Sequence, residues 1–166
     1  KAQKIRLPPH HAGDKAFFSS LLGALTLLEN FIVTLGLEPI ILSRQASSSP
    51  SLFERFMTVA GKARFAIVLL SADDYGASRR QYDQPGVGDR SLQFRARQNV
   101  ILELGFFYGK LGMEQVFVVA KGPDFVFPNF ERPSDLDGVV FDSLEDDAWQ
   151  TTLKGRLRDA GFVLFD

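Results

Sequence analysis

A nine-residue run in the middle of the chain, residues 100–108 (VILELGFFY), contains one charged residue, Glu103. The run belongs to a helical stretch, residues 95–111, that is apolar around nearly its whole circumference. Such a helix is expected to be buried. A carboxylate there loses hydration, so Glu103 must be hydrogen-bonded, ion-paired or held partly neutral. The sequence therefore predicts a buried helix with a perturbed carboxyl group.

Helical spacing leaves two interpretations of Glu103. In the structural one, it hydrogen-bonds Asn99 or pairs with Lys110, both of which share its face of the helix. In the functional one, it lies in a ligand cleft. Gly105 lies nearby in the helix interior, where glycine costs about 1 kcal/mol. It indicates close packing of a strand, another backbone or a ligand at that point.

Short apolar strands alternate with helical segments, which is typical of a parallel α/β sheet. The predicted strands are residues 15–19, 38–42, 64–70, 116–120 and 138–141. The predicted helices are residues 21–35, 52–60, 95–111 and 146–160. We therefore predict an α/β fold: a single three-layer domain with a flavodoxin-like parallel sheet of about five strands and helices on both faces.

Two segments fall outside this alternation. Residues 1–14 contain two prolines and two histidines and lack the apolar core of a signal peptide, so they are predicted to be a linker before a domain of residues 15–166. Residues 71–92 are rich in Gly, Asp, Arg and Gln and exceed the length of ordinary connections. They are predicted to form a functional loop or mobile lid.

Composition excludes several classes of function. The net charge of −1 gives no general attraction to nucleic acid or acidic membranes. The chain has no cysteine and no cluster of histidine and aspartate, so we expect no disulfide and no catalytic metal. No apolar stretch reaches about 18 residues, the length that spans a bilayer. The cytoplasm is the expected location.

The candidate site follows from the predicted sheet. In open parallel sheets, ligands bind beyond the carboxyl ends of the strands. Four segments should meet there: residues 19–20, 44–51 and 71–76, and the start of the long apolar helix. Glu103 lies two turns into that helix, with a side chain long enough to reach the cleft floor.

The helix and its flanks, RARQNVILELGFFYGKLG (residues 95–112), resemble the signature helix of bacterial TIR-like domains described as predicted nucleotide-binding proteins. LGLEPIIL (35–42), FAIVLLSADDYGA (65–77) and PSDLDGVVF (133–141) resemble further segments of that family in the same order. The resemblance covers about residues 15–162. Such domains occur in anti-phage defence systems, including those joined to STING-type or other cyclic-nucleotide sensors.

The resemblance implies an NAD+ hydrolase in which Glu103, the Glu of the NVxxELG element, is the catalytic residue. Nicotinamide leaves ribose as a neutral base, whereas the developing oxocarbenium ion needs a nearby anion or nucleophile. A carboxylate in a water-poor cleft supplies either. NAD+ is then the substrate, and no further cofactor is expected.

The remaining candidates are assigned to substrate binding. Serine hydroxyls and the N–H groups that open a helix can bind phosphate or ribose. Aspartate carboxylates can bind ribose hydroxyls, and arginine guanidinium groups can bind pyrophosphate. The asparagine amide can orient Glu103 or contact the ribose. Their structural alternatives are helix capping, turn formation and solvated surface positions. These residues are Ser19, Ser20, Arg44, Asp73, Asp74, Arg97 and Asn99.

The family resemblance also implies partners. TIR–TIR self-association under a fused or partner sensor of cyclic nucleotides or nucleic acid would complete the cleft, with residues 44–56 as the loop offered to a neighbour. Two alternatives stay open: a non-catalytic nucleotide-binding or self-association scaffold, and a nucleoside deoxyribosyltransferase-like enzyme with a carboxylate nucleophile. Both enzyme hypotheses need Glu103 in an open cleft, whereas the scaffold tolerates it sealed in an ion pair.

Overall fold

A computed structural model describes residues 13–44, 51–121 and 130–165, with side chains described from Leu22 onward except that of Leu52. In these ranges the helices are α1 (Gly13–Thr34), α2 (Leu52–Ala60), α3 (Arg79–Tyr82), α4 (Gln98–Leu111) and α5 (Ala148–Asp159). The strands are β1 (Ala66–Ser71), β2 (Asp74–Gly76), β3 (Gln93–Arg95), β4 (Val116–Lys121), β5 (Phe130–Glu131) and β6 (Asp142–Ser143). Short 3-10 turns occupy Leu42–Arg44, Gly88–Ser91, Met113–Gln115 and Ser134–Leu136.

The main sheet has the strand order β1-β4-β6, and all its pairs are parallel. The β1–β4 ladder runs in register from Ala66 opposite Val116 to Ser71 opposite Lys121. A second, small sheet has the order β2-β3-β5, with β2 antiparallel and β5 parallel to β3. Because β2 begins three residues after the end of β1, the small sheet continues from the carboxyl edge of the main one.

Two apolar cores lie on opposite faces of the main sheet. Residues of α2 and α4 pack on one face, and residues of α1 and α5 on the other. Along β4, Val116 and Val118 face the first core, while Phe117 and Val119 face the second. A sheet buried on both faces is the normal setting for parallel strands. The predicted three-layer α/β fold is therefore confirmed.

The first two predicted strands are wrong. Residues 15–19 belong to α1, because no proline separates them from the helix-periodic residues that follow and helix propagation is easy once started. Residues 38–42 form no strand and end in the Leu42–Arg44 turn. Pro39 explains this, since proline cannot donate to a strand ladder.

Two other segments differ from the prediction in detail. The last strand, expected at residues 138–141, is β6 at Asp142–Ser143, because Gly138 has φ +89°, outside the β region. Residues 71–92 are not a structureless loop. They contain β2, which pairs with β3, and α3, which opens with a capping box between Ser78 and Gln81.

The N-terminal boundary stays a prediction. Residues 1–12 of the predicted linker, including both histidines, lie outside the described residues, and Gly13 and Asp14 begin α1. Within the described ranges, every helix is too short or too polar to cross a bilayer.

Lys110 joins α4 to the carboxyl end of α2. Its Nζ donates to the backbone carbonyl oxygens of Ala60 and Gly61, both at 2.6 Å, and of Ala63 at 2.9 Å. The last carbonyls of a helix have no partner within the helix, so Lys110 completes the end of α2. One turn earlier, the Phe56 ring packs edge-on against Phe106, with the ring centres 5.0 Å apart. The two helices therefore lie side by side with their carboxyl ends level.

Lys110→Met should lower the free energy of unfolding by about 1–2 kcal/mol, because charge-assisted hydrogen bonds to three carbonyl groups are lost while the apolar stem is kept. Urea unfolding measures this change. Lys62→Met, at an exposed lysine just after α2, is the control and should change stability by less than about 0.5 kcal/mol. Equal effects of the two substitutions would show that the Lys110 contacts contribute nothing specific.

Candidate functional site

The helix that carries Glu103 is buried on one side only. In α4, Leu104 and Phe107 are buried, whereas Leu102 is 58% exposed and Gly105 and Gly109 also face solvent. The prediction of a helix buried around nearly its whole circumference is therefore wrong. The physical reason is that α4 covers one face of the sheet and is the outermost layer there.

Glu103 lies on the side of α4 that faces α2. It shares a helical face with Phe106, Phe107 and Lys110, three residues that contact α2 or the turn after it. Phe56 of α2 lies at the same height as Phe106 and Phe107 of α4. Glu103 is one turn earlier on α4, so it lies at the height of the amino end of α2. Ser51 caps that end, its Oγ accepting from the backbone N–H groups of Phe53 and Glu54. The capped start of α2 is therefore level with Glu103.

The Glu103 carboxyl group is half-buried, and burial raises its pKa. Neither structural partner considered for it is bound to it. Lys110 is used by the carbonyl groups that end α2. Among the described residues, Asn99 makes no hydrogen bond to Glu103 and no cation pairs with it. The structure thus contradicts the sealed ion pair and leaves a desolvated carboxyl group without compensation.

Gly105 is not explained by helix–strand packing. A methyl group built at its Cα meets no described atom within 4 Å, and the residue is exposed. The packing expected from the sequence is therefore absent from the described part of the chain. Alanine would fit at this position without a clash.

At the carboxyl end of β1, Asp73 forms an ion pair with Arg97, the residue that precedes α4. The Nε–Oδ2 distance is 2.6 Å, and the Asp73 side chain is only 5% exposed. Burial raises the pKa of Asp73, opposed by Arg97 and by hydrogen bonds from its own backbone N–H and the Ser71 side chain. These contacts join the turn after β1 to the start of α4.

Asp74 and Arg95 form a neighbouring pair within the small sheet. They are cross-strand partners with an Nε–Oδ2 distance of 3.2 Å, and Asp74 also accepts from the Tyr75 backbone N–H. Glu131 is the partner of Arg95 on the other side. Its Oε2 atom is buried and has no hydrogen-bond partner among the described residues. On one face of the small sheet, the Arg95 side chain therefore lies between those of Asp74 and Glu131.

The other predicted residues are distributed as follows. Asn99 is exposed in the first turn of α4, one turn before Glu103. Arg44 pairs with Glu29 of α1, with Nη1 and Oε2 2.6 Å apart. Ser19 and Ser20 lie inside α1, which starts at Gly13, so their N–H groups do not open a helix as predicted. Their side chains lie outside the described residues.

Three residues of this region were missed by sequence reasoning. Ser71 ends the apolar run of β1, and its position in a predicted cleft segment was the available signal. For Lys110, the helical spacing predicts only a pairing with Glu103. Glu131 had no signal, because it follows a proline-containing segment without periodicity.

A shallow groove elsewhere on the domain is unrelated to Glu103. It lies before the amino end of β4 and beside the end of α5, so it is at the opposite edge of the sheet from Asp73 and Arg97. Its lining residues are Glu114, Gln115, Arg156, Asp159 and Ala160. Nowhere in the described ranges do three acidic or histidine side chains cluster as metal ligands would.

Comparison with known proteins identifies relatives. A family model described as "CAP12/Pycsar effector protein, TIR domain" matches residues 19–146. The uncharacterized protein YuaY of Escherichia coli strain K12 is 40% identical over 144 residues, which are 86% of this chain and 43% of YuaY. Protein tirC of Dictyostelium discoideum is 25% identical over 120 residues, 72% of this chain and 58% of tirC. The chain thus spans about half the length of the curated relatives that it matches.

Glu103→Gln should stabilise the protein at neutral pH. Because burial raises the pKa of Glu103, the folded state binds more protons than the unfolded chain between the two pKa values. The stability linked to this group is complete below the unfolded pKa and is lost as pH rises through the folded pKa. At pH 7 the variant should therefore melt at a higher temperature than the parent protein.

Thermal melts of both proteins across pH measure this difference, which should vanish below the ordinary carboxyl pKa of 4.5. Glu38→Gln, at an exposed carboxyl group, is the control and should leave the melting temperature unchanged. A Glu103→Gln protein that melts lower than the parent at pH 7 would mean that the carboxylate has a stabilising partner.

Proposed function

Because the chain belongs to the TIR-domain family of CAP12/Pycsar effector proteins, we propose that it is an NAD+ glycohydrolase effector domain in anti-phage defence, with Glu103 as the catalytic carboxylate. The observation that carries this proposal is the state of Glu103. It is half-buried, its pKa is raised by burial alone, and it has no partner among the described residues. A fold that desolvates a carboxyl group without compensation loses stability, and such groups concentrate at functional sites.

In the proposed reaction, Glu103 stabilises the positive charge that develops on the ribose. The bond between ribose C1′ and the nicotinamide nitrogen breaks, and its electron pair leaves with nicotinamide, which departs as a neutral base. The positive charge that develops on the ribose is stabilised by the Glu103 carboxylate, or captured by it as a covalent ester. Water then adds to C1′ and loses one proton, giving ADP-ribose, nicotinamide and H+. Partial burial strengthens the attraction between carboxylate and cation.

The substrate would lie along the amino half of α4. Asn99 is one turn before Glu103 on the same face, where its amide would lie beside the ribose hydroxyls of a bound substrate. Arg97 is half-exposed at the start of the helix, beyond Asn99. Arg44 and Asp74 already have ionic partners, so any contact of theirs with substrate must compete with Glu29 or Arg95. Ser19 and Ser20 stay candidates from sequence only.

The same proposal includes activation by assembly, under a fused or partner sensor. Phe53 and Met57 lie one turn apart on α2 and are 56% and 41% exposed. They form an apolar face on the helix whose amino end is level with Glu103, and exposed apolar faces beside a site suit contact with another protein. The loop that precedes α2, residues 45–50, and the Leu52 side chain lie outside the described residues. Burial of this face by a second copy would further desolvate the site.

Glu103→Gln should reduce NAD+ cleavage at least about 100-fold, because the shape is kept and the anion that stabilises the ribosyl cation is removed. Nicotinamide release is measured by chromatography at high protein concentration, with Glu38→Gln as the control. A Glu103→Gln protein that cleaves NAD+ at the parent rate would contradict the assigned mechanism.

Turnover per molecule should rise with protein concentration if assembly completes the site. Met57→Glu places a charge on the apolar face of α2 and should flatten that rise at least about fivefold, with little change in melting temperature. Val163→Glu is the matched control, since Val163 is 86% exposed in the chain segment after α5. A turnover number that is constant over a thousandfold concentration range would refute activation by assembly, while leaving the catalytic assignment intact.

A further inference from the structure

The ion pair between Asp73 and Arg97 is asymmetric. The Asp73 side chain is 5% exposed, whereas that of Arg97 is 50% exposed. Asp73 lies two residues after Ser71, which is also buried, with 6% of its surface exposed. A surface ion pair between two mobile side chains contributes little. Here the acidic partner is buried just after β1, which restricts its motion, so the ion pair holds the arginine side chain in one place.

The geometry leaves the outer part of the guanidinium available. Asp73 approaches Nε, the nitrogen nearest to the main chain. Among the described residues, nothing accepts a hydrogen bond from the two terminal Nη groups of Arg97. Those terminal groups are the donors that bind phosphate oxygens in pairs. An arginine that is already immobilised loses less entropy when it binds such a ligand.

The axial spacing of Arg97 and Glu103 is within the length that a dinucleotide spans. Arg97 precedes the first residue of α4, and Glu103 lies six residues later, about 9 Å along the helix axis. In NAD+, one ribose separates the scissile bond from the pyrophosphate. The first N–H groups of α4 also lack a side-chain cap, since Arg97 provides none. An anion bound by Arg97 therefore lies at the partly positive end of a helix of 14 residues.

We propose that Arg97 binds the pyrophosphate of the substrate and that Asp73 is the positioning residue that fixes Arg97, so that the pair selects dinucleotides over nucleosides. This inference rests on the proposed function. It replaces the ribose-binding role expected for Asp73 from the sequence, because a carboxyl group with 5% exposure is not accessible to a sugar.

The neighbouring pair of Asp74 and Arg95 is a matched control. It joins the same residue types through the same atoms, at 3.2 Å, two residues away from Arg97. The Arg95 guanidinium lies against Gly76 inside the small sheet, where a methyl group on Gly76 would collide with it. The Arg95 guanidinium is thus held within the small sheet. Its removal should not alter the preference for NAD+ over nicotinamide riboside.

The experiment compares NAD+ with nicotinamide riboside, which has the same scissile bond and no pyrophosphate. Arg97→Gln should lower kcat/KM for NAD+ about 10- to 100-fold, mainly through KM, and leave nicotinamide riboside unchanged. Asp73→Asn should shift the ratio of the two substrates in the same direction by a smaller factor. Arg97→Lys should recover part of the loss, whereas Arg95→Gln should leave the ratio at the parent value.

Binding of ADP-ribose to the Glu103→Gln protein, measured by calorimetry, gives a readout that needs no catalysis. Adding Arg97→Gln should weaken it about 10-fold or more, and adding Arg95→Gln should not. If NAD+ is cleaved but the substrate ratio is the same in Arg97→Gln and parent, this inference is wrong and the proposed function stands. If NAD+ is not cleaved but ADP-ribose binding still depends on Arg97, the proposed function is wrong and this inference stands.

Discussion

The parallel ladder between β1 and β4 is the interaction on which the rest of the domain depends. Its six residue pairs place alternate side chains of both strands in the two cores, so that both helical layers pack on the same two strands. The ladder also fixes one edge of the sheet. β1 ends there at Ser71, and α4 must begin near that edge in order to lead into β4. The turn that contains Asp73 and the start of α4 at Arg97 are neighbours for this reason.

The two charged side chains of α4 have different surroundings. It contains one acidic residue, Glu103, and one basic residue, Lys110, about two turns apart. A pair between them would neutralise both. The carboxyl end of α2 instead takes the ammonium group, since three backbone carbonyl groups surround it. Lys110 is therefore not available to Glu103, and no other cation among the described residues pairs with it. The packing of the two helices is thus coupled to the state of the carboxyl group.

Local signals were sufficient for much of this domain. Apolar runs of the sequence predict β1, β4 and α4, and α2 and α5 lie within the ranges predicted for them. Glu103 stands out in the sequence as the one charge within an apolar run, and its expected catalytic role comes from the family resemblance. The small sheet could not be predicted, since strands of two or three residues have no measurable period. The pair of Asp73 and Arg97 joins residues far apart in sequence, and only the β1 edge brings them together.

The three-carbonyl contact of Lys110 has a mechanical consequence for α2. This nine-residue helix is about 13 Å long and is fixed at its carboxyl end by Lys110. A tilt of about 10° around the fixed end displaces the other end by roughly 2 Å, given that length. The displaced end is the one level with Glu103. A force applied to Phe53, in the first turn of α2, therefore acts far from the fixed end, and the amino end of α2 is displaced more than the rest of the helix.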